Sequence, residues 1–306
     1  MALIKMKGNI VFLFLKTYKE YMENIIIEGL PGSGKTTLIK SLYEKLDGYH
    51  IYLEGDISPI ELAWCSYMTE EEYQQALAAF PDLVPEIEKH TVKEENHFIV
   101  EYTRIITDIR GFHHYMEQYE IYNGRRSFDE FKGIIFRRLE NFNGTGNLFE
   151  CSFFQNILEE LILFYCKSEE EIYDFYRELY AVIKQKKIRL VYLCSNDIEG
   201  NILEIKKARC DENGVEMWFP LVMKYLNDSP YGKKCEFVGI SDMVAHFKRR
   251  MGLEVRIINE IPGAHAIILP AKAYDIDEVA NQLTISPPKR WENSCQRAVK
   301  ILVQEF

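Results

Sequence analysis

Several features that would assign this 306-residue chain to a class are missing from it. Its 7 cysteines stand at 65, 151, 166, 194, 210, 235 and 295, with no C-x-x-C pair and no Cys/His spacing suited to zinc. That pattern excludes a disulfide framework or a zinc module and reads as reduced thiols. Positive charge is also short: 37 Lys and Arg face 47 Asp and Glu, for a net charge of −10. A nucleic-acid partner would need a basic surface or stripe, so none is expected. Lys248, Arg249 and Arg250 form one short basic cluster, read here as a solvated helix face. No apolar run reaches the roughly 20 residues of a membrane-spanning helix, so no membrane association is expected and the location reads as cytoplasmic. The apolar stretch from Ile10 to Leu15 ends at Lys16 without a small-residue cleavage site, which argues against a secretory signal. Residues 1–21 read instead as an extension upstream of a start at Met22, expected to pack poorly or at the periphery. Neither an internal repeat nor a low-complexity tract is present.

What is there is enough to build a core: 47% of the residues are hydrophobic and 13% aromatic, which fits one large domain or one and a half. The chain is organised around Ile25 to Thr37. Within it, Gly29 to Thr36 matches G-x-x-x-x-G-K-[ST], the phosphate-binding loop pattern, without a mismatch. Ile25, Ile26 and Ile27 before it read as a strand buried on both faces. Leu38, Ile39, Leu42 and Leu46 after it have helical spacing. The chemistry needs these residue types. Gly29, Gly32 and Gly34 let the backbone bring its N–H groups onto phosphate oxygens, with Pro31 stiffening the loop. The following helix aims its positive end at the same anion. Lys35 is the expected contact to the β- and γ-phosphates and Thr36 the Mg²⁺ ligand, with Ser33 and Thr37 completing the nucleotide contacts. ATP and Mg²⁺ are therefore the expected cofactors.

Along the rest of the chain, Tyr49 to Glu54 reads as a second strand, Asn147 to Glu150 as a third, Ile188 to Cys194 as a fourth and Glu254 to Ile258 as a fifth. His265 to Leu269 reads as a further strand. The intervening helices are expected at Phe153–Cys166, from Ser168 to about Gln185, at Met217–Leu226, at Ser241–Met251, at Asp275–Leu283 and at Glu292–Glu305. Residues 57–143 form a long, mostly helical insertion in which His97 to Arg104 is either a short strand or part of a helix. Ser127 and Ser168 read as N-caps. Alternation of strands and helices predicts an α/β fold, a parallel sheet of about five strands wrapped by helices.

In this order of parts the chain resembles the nucleoside and nucleotide kinases of the P-loop fold, most of all the deoxynucleoside and thymidylate kinases, over about Asn24 to Ile258. The resemblance implies a kinase-like domain at 22–258, a helical insertion at 57–143 that sets acceptor specificity, and a C-terminal α/β extension at 259–306 without a counterpart. An acid at the carboxyl end of the second strand would take the proton of the acceptor hydroxyl; Glu54 and Asp56 both qualify, and both lie where open parallel sheets bind ligands. Glu150 would face Mg²⁺. Where deoxynucleoside kinases carry Glu-Arg-Ser, this chain has Glu150-Cys151-Ser152, so an arginine contact is absent or comes from Arg104, Arg110, Arg125 or Arg126. Lys206, Lys207 and Arg209 would sit on a lid over the transferring phosphate. Phe112, His113, His114, Tyr115, Tyr119 and Tyr122 either line an acceptor pocket or belong to the core, and Phe153, Phe154, Gln155, Trp64, Trp218 and Phe219 share that ambiguity.

The function read from these parts is an ATP- and Mg²⁺-dependent phosphotransferase acting on a hydroxyl or phosphate of a small molecule, a nucleoside, nucleotide or antibiotic-like compound, with a homodimer compatible with it. The alternative is a P-loop ATPase or nucleotide switch working on a protein partner. For that reading Glu150 is preceded only by Leu148 and Phe149, and no N-K-x-D guanine motif is present.

Overall fold

The computed structural model describes residues 22–261 and 266–284. The readings of residues 1–21 as an extension and of Glu292–Glu305 as a helix lie outside these. The chain opens with β1 (Asn24–Gly29), buried along its whole length. It then makes α1 (Lys35–Lys45), which buries Leu38, Ile39 and Leu42. The next strand, β2, is short (His50–Tyr52) and ends before Leu53, so Glu54 and Asp56 stand in the turn after it.

Residues 57–143 hold more than helices. A three-stranded antiparallel sheet is built from β3 (Ser66–Thr69), β4 (Thr91–Glu94) and β5 (His97–Val100), in the order β3-β5-β4. The alternation at His97 is thus a strand, followed by a 3₁₀ turn at Tyr102–Arg104. Helices α2 (Glu70–Ala79) and α3 (Val84–Lys89) sit between β3 and β4. Helices α4 (Phe112–Glu117) and α5 (Phe128–Asn141) follow β5. Reciprocal capping boxes fix two of the starts, Thr69 with Glu72 on α2 and Ser127 with Glu130 on α5.

The chain then returns to the parallel sheet through β6 (Asn147–Glu150), α6 (Gln155–Glu159) running into a π-helical turn at Glu160–Phe164, and α7 (Glu169–Ile183) capped by Ser168 and Glu171. After β7 (Ile188–Cys194) come α8 (Ile198–Ala208), α9 (Trp218–Asp228), the short α10 (Gly232–Cys235) and α11 (Ile240–Glu260). The strand expected at Glu254–Ile258 is instead the last part of α11. It belongs to the buried face of a long helix, on which Met243, Phe247, Met251, Glu254 and Ile258 recur at three- and four-residue spacing. The fifth strand is β8 (Ala266–Pro270), close to the predicted His265–Leu269; α12 (Ile276–Thr284) follows it.

The main sheet runs β2-β6-β1-β7-β8, with every pairing parallel. Alternation along β1 divides the core. Ile25 and Ile27 pack with Leu38, Leu42, Val279 and Leu283 from α1 and α12. Ile26 faces the other way, into the larger cluster with Phe131, Leu158, Tyr176 and Phe247 from α5, α6, α7 and α11. A third cluster lies beneath the antiparallel sheet and includes Met68, Val100 and Phe112. From β1 the chain crosses β6 to reach β2, and from β6 it crosses β1 to reach β7. The carboxyl ends of these strands therefore border the crevice where open α/β sheets hold ligands.

Candidate functional site

The loop after β1 is shaped by what crosses it. Gly32 has φ of +75°, and a Cβ there would lie 2.8 Å from Ile205 Cδ1, so α8 is packed directly on the loop. Gly34, at φ +96° and ψ +19°, is the left-handed N-cap of α1. No side chain caps this helix end, and no acidic residue stands in its first turn, so its N–H groups and positive pole are uncompensated by side chains. Ser33 is fully buried, and its Oγ has no hydrogen-bond partner among the described residues. Lys35 is 7% exposed and folds back, its Nζ donating to the carbonyls of Gly29 at 2.8 Å and Leu30 at 3.0 Å. Thr37 is exposed on the first turn of α1.

The acids at the strand ends are separated by their partners. Thr36 Oγ1 donates to Glu150 Oε1 at 2.5 Å, joining α1 to the end of β6. The other oxygen of Glu150 accepts the Glu54 N–H at 3.4 Å. Glu54 Oε1 accepts Gln155 Nε2 at 2.8 Å and Trp64 Nε1 at 3.3 Å, which leaves Oε2 with no protein partner among the described residues. Asp56 has both oxygens engaged, one by the Leu53 N–H at 2.7 Å and one by Arg104 Nη2 at 2.5 Å. Asp56 therefore closes its own turn, and no helix starts near Ser58 for it to cap. Cys151 is buried with φ of +55°, so its side chain cannot stand in for an arginine reaching a ligand. Burial pushes its thiol well above the ordinary range.

A residue that sequence reasoning passed over positions this cluster. Glu28 of β1 is fully buried and accepts the N–H groups of Phe153 at 2.6 Å, Phe154 at 2.9 Å and Gln155 at 3.3 Å. It thereby fixes the turn that presents Gln155 to Glu54. Burial pushes its carboxyl up to about 7, against the lowering effect of these backbone donors. The available signal was an acid following three isoleucines in a strand buried on both faces.

Beside the loop lies a cavity of about 360 Å³ whose walls include Pro31, Glu54, Trp64, Tyr122, Gln155 and Trp218. Glu120, Glu159 and Arg250 also border it. Arg250 is not on a solvated face. Its side chain is 1% exposed and lies between Glu159 Oε1 at 2.6 Å and Glu254 Oε1 at 3.0 Å. The solvated reading holds better for Arg249, which pairs with Glu169 at the surface. A larger cavity, about 530 Å³, is bordered by Tyr52, Glu94, Arg137 and Asn147 and touches none of the loop or strand-end residues above.

Of the basic residues on α8, Arg209 is brought to the cavity, just past the helix end. Lys206 lies over the Phe219 ring, 4.0 Å from its centroid, and Lys207 is exposed. The four other arginines considered as suppliers do not border the cavity. Arg104 is held by Asp56, Arg125 by Glu117, and Arg126 by the carbonyls of Tyr67 and Tyr119, while Arg110 is exposed. Phe112 belongs to the core under the antiparallel sheet, and Phe153 and Phe154 to the main core. His113 is tied to the Ile105 carbonyl at 3.0 Å, and Tyr115 meets Tyr119. Only Tyr122, Trp64, Trp218 and Gln155 of the ambiguous set reach the cavity. The segment after β8 adds residues that sequence reasoning missed: a Cβ at Gly34 would lie 3.7 Å from Lys272 Cγ and 3.8 Å from the Tyr274 hydroxyl. Lys272 Nζ in turn holds Asn201 of α8 at 2.7 Å and Glu204 at 2.5 Å.

A scan against protein-family models and a search of curated proteins return no match to this chain. No described helix is long and apolar enough to cross a membrane. No group of three or more His, Cys, Asp or Glu residues among the described residues is arranged to hold a metal ion.

Proposed function

We propose that this chain is a P-loop phosphotransferase, similar to the nucleoside and nucleotide kinases, that moves the γ-phosphoryl group of ATP to a small-molecule acceptor. One observation carries the reading. Glu54 belongs to both halves of the site: its backbone N–H donates to Glu150, the partner of Thr36, while its carboxylate borders the cavity next to Pro31. This position supports reading Glu54 as a base between a phosphate-binding loop and a space for an acceptor.

The residues present fit Mg²⁺ and ATP. Thr36 and Glu150 offer hard oxygen donors side by side, as Mg²⁺ prefers, and such sites take their remaining ligands from phosphate and water, so a cluster of three protein ligands is not required. The unpartnered Ser33 hydroxyl and the uncapped start of α1 are donors in want of an anion. Bound Mg²⁺ would neutralise charge on the transferred group. Lys35 would turn from the Gly29 and Leu30 carbonyls to the phosphates. Glu54 Oε2 would accept the acceptor's hydroxyl proton as the oxygen attacks phosphorus. Arg209, at the cavity, would stabilise negative charge in the transition state, and α8 over the loop would exclude water. Lys206 and Lys207 support the lid reading less directly, one resting on Phe219 and one facing solvent.

The test is ADP release from Mg²⁺ and ATP, with and without panels of nucleosides, nucleoside monophosphates, sugars and amino alcohols. Stimulation by one class is the expected result. ATP binding with release stimulated only by an added protein would overturn the proposal in favour of a nucleotide switch.

A further inference from the structure

The groups that open onto the cavity differ from those that lie behind it. Glu120, Glu159 and Arg250 border it but are buried, and Glu159 is paired with Arg250 and His246. Of the bordering charged groups only Glu54 and Arg209 escape burial, and Arg209 follows α8, the helix packed on the loop. Much of the open wall is apolar: Trp64 is 49% exposed, Leu221 is 61% exposed, and Trp218 is half-buried. Trp64 has φ of +62°, a left-handed conformation that a bulky residue adopts only at a cost, and its Nε1 is anchored on Glu54. An indole is thus held half-open beside the candidate base.

The polar part of that wall holds three side-chain amides turned the same way. Gln155 Nε2 donates to Glu54 at 2.8 Å and Asn123 Nδ2 to Glu120 at 2.8 Å, while Asn156 Nδ2 faces the Cys151 carbonyl at 3.3 Å and Glu61 at 3.4 Å. Each nitrogen meets an acceptor, which fixes the orientation of its amide. The oxygens Gln155 Oε1, Asn123 Oδ1 and Asn156 Oδ1 then have no donor among the described residues, and unlike Ser33 Oγ they are not sealed from solvent. With Glu54 Oε2 they make four acceptors in want of donors around one cavity. A phosphate brings only acceptors. A nucleobase edge brings acceptors as well as donors, and its acceptors would meet these oxygens. An ammonium finds one carboxylate that is not buried, Glu54, and Gln155 and Trp64 already hold one of its oxygens. Ring hydroxyls each bring a donor without charge, and the C–H face of such a ring is apolar enough to lie on an indole.

Resting on the phosphotransferase reading, we infer that the acceptor is an uncharged polyhydroxylated ring, a sugar or glycoside carrying neither phosphate nor amine, with a C–H face against the indole walls and hydroxyls donating to the oxygens of Asn123, Gln155 and Asn156. The hydroxyl nearest Glu54 is the one phosphorylated. Its proton goes to Glu54 Oε2, its oxygen bonds to the γ-phosphorus, and the bond from that phosphorus to the bridging oxygen breaks to leave ADP. The volume of about 360 Å³ admits a compound of one or two rings.

The experiment is isothermal titration calorimetry on the whole protein without nucleotide. The probes are arabinose, glucose, galactose, mannose, myo-inositol and maltose, against cyclohexanol, glucosamine, glucose 6-phosphate and thymidine. At least one neutral polyol is expected to bind saturably and at least 10-fold more tightly than cyclohexanol, which has the ring but a single donor. Trp64→Leu should weaken that binding by 10-fold or more and Asn156→Ala by 5-fold or more, with circular dichroism unchanged. Trp64→Phe, which keeps a ring, should stay within about 3-fold of the parent; a loss equal to that of Trp64→Leu would show that stacking is not what binds. Tighter binding of glucosamine, glucose 6-phosphate or thymidine than of every neutral polyol, or no saturable binding of any polyol, overturns the inference. ADP release is then measured with the same probes. Stimulation by the amine, the phosphate or the nucleoside alone would retain the phosphotransferase and reject the sugar. Polyol binding with no ATP bound would reject the phosphotransferase and retain the sugar site.

Discussion

The loop after β1 and the inner cavity bury ionisable groups of opposite kind. In the loop the buried charge is a cation, Lys35, held against the carbonyls of Gly29 and Leu30, with the uncapped end of α1 beside it. In the cavity the buried ionisable groups are mostly carboxyls, and the deep cation there, Arg250, is shared between two of them. The loop is suited to an anion of high charge. The cavity offers such an anion only Arg209 and a guanidinium already shared by two carboxyl groups, and so suits a partner of lower charge. Glu54 stands where the two meet. On the proposed reaction, the difference teaches how one crevice could keep two reactants in order: the loop half offers positive groups to a polyanion that the cavity half does not.

Breaking the loop half should have the largest effect. Lys35→Ala is expected to lower ATP-dependent turnover about 10³-fold, close to background, with unchanged circular dichroism. Steady-state ADP release checks it, and unchanged ATP affinity and turnover would remove the basis for the proposed reaction.

Breaking the cavity half should act on stability first. Arg250→Met leaves Glu159 and Glu254 buried without their shared cation and is expected to cost about 3–5 kcal/mol, read as a fall in the urea midpoint. His246, 2.8 Å from the second oxygen of Glu159, and the Tyr192 hydroxyl on Glu254 would soften that loss.

At the junction, Glu54→Gln should lower kcat about 10²-fold and leave ATP binding in place. Asp56→Asn should leave kcat within about 2-fold and cost about 1 kcal/mol or less, because its partner Arg104 is largely exposed. Equal losses of kcat in the two variants would show that the turn's shape, and not the Glu54 carboxylate, is what matters.

A pH dependence sharpens the contrast. Burial pushes Glu28, Glu120 and Glu160 up to about 7 and Glu61 up to about 6, from an ordinary 4.5. The folded chain therefore binds more protons than the unfolded chain between these limits, and stability falls as pH rises through this window. Glu159 runs the other way. Burial opposes its charge, but His246 and Arg250 outweigh burial and hold it near 2, so its contribution is lost only below about 4.5. Thermal unfolding should give a higher Tm near pH 6 than near pH 8.

The parts of the molecule differ in how far the chain alone reveals them. The Gly29–Thr36 loop lies in consecutive residues whose types are set by local geometry, and strands β1, β6 and β7 announce themselves as short apolar runs. Capping by Ser127 and Ser168 is a contact across three residues and was legible for the same reason. At Glu254–Ile258, an apolar run too short to distinguish strand from helix was read as a strand; the face shared by His246, Arg250 and Glu254 becomes visible only when α11 is followed through to Glu260.

What the sequence by itself determined is the alternating α/β order, the caps and the loop pattern, all governed by interactions within a few residues. Tertiary structure decided which of two neighbouring acids is free. Asp56 is consumed by Arg104, which comes from a distant turn, and Glu54 is held by Gln155 through a turn that Glu28 fixes from another strand. It also decided that Arg250 is buried and that the fifth parallel strand is β8. Burial and charge pairing depend on residues far apart in the chain, and a lone side chain carries no mark of the partner that the fold will bring to it.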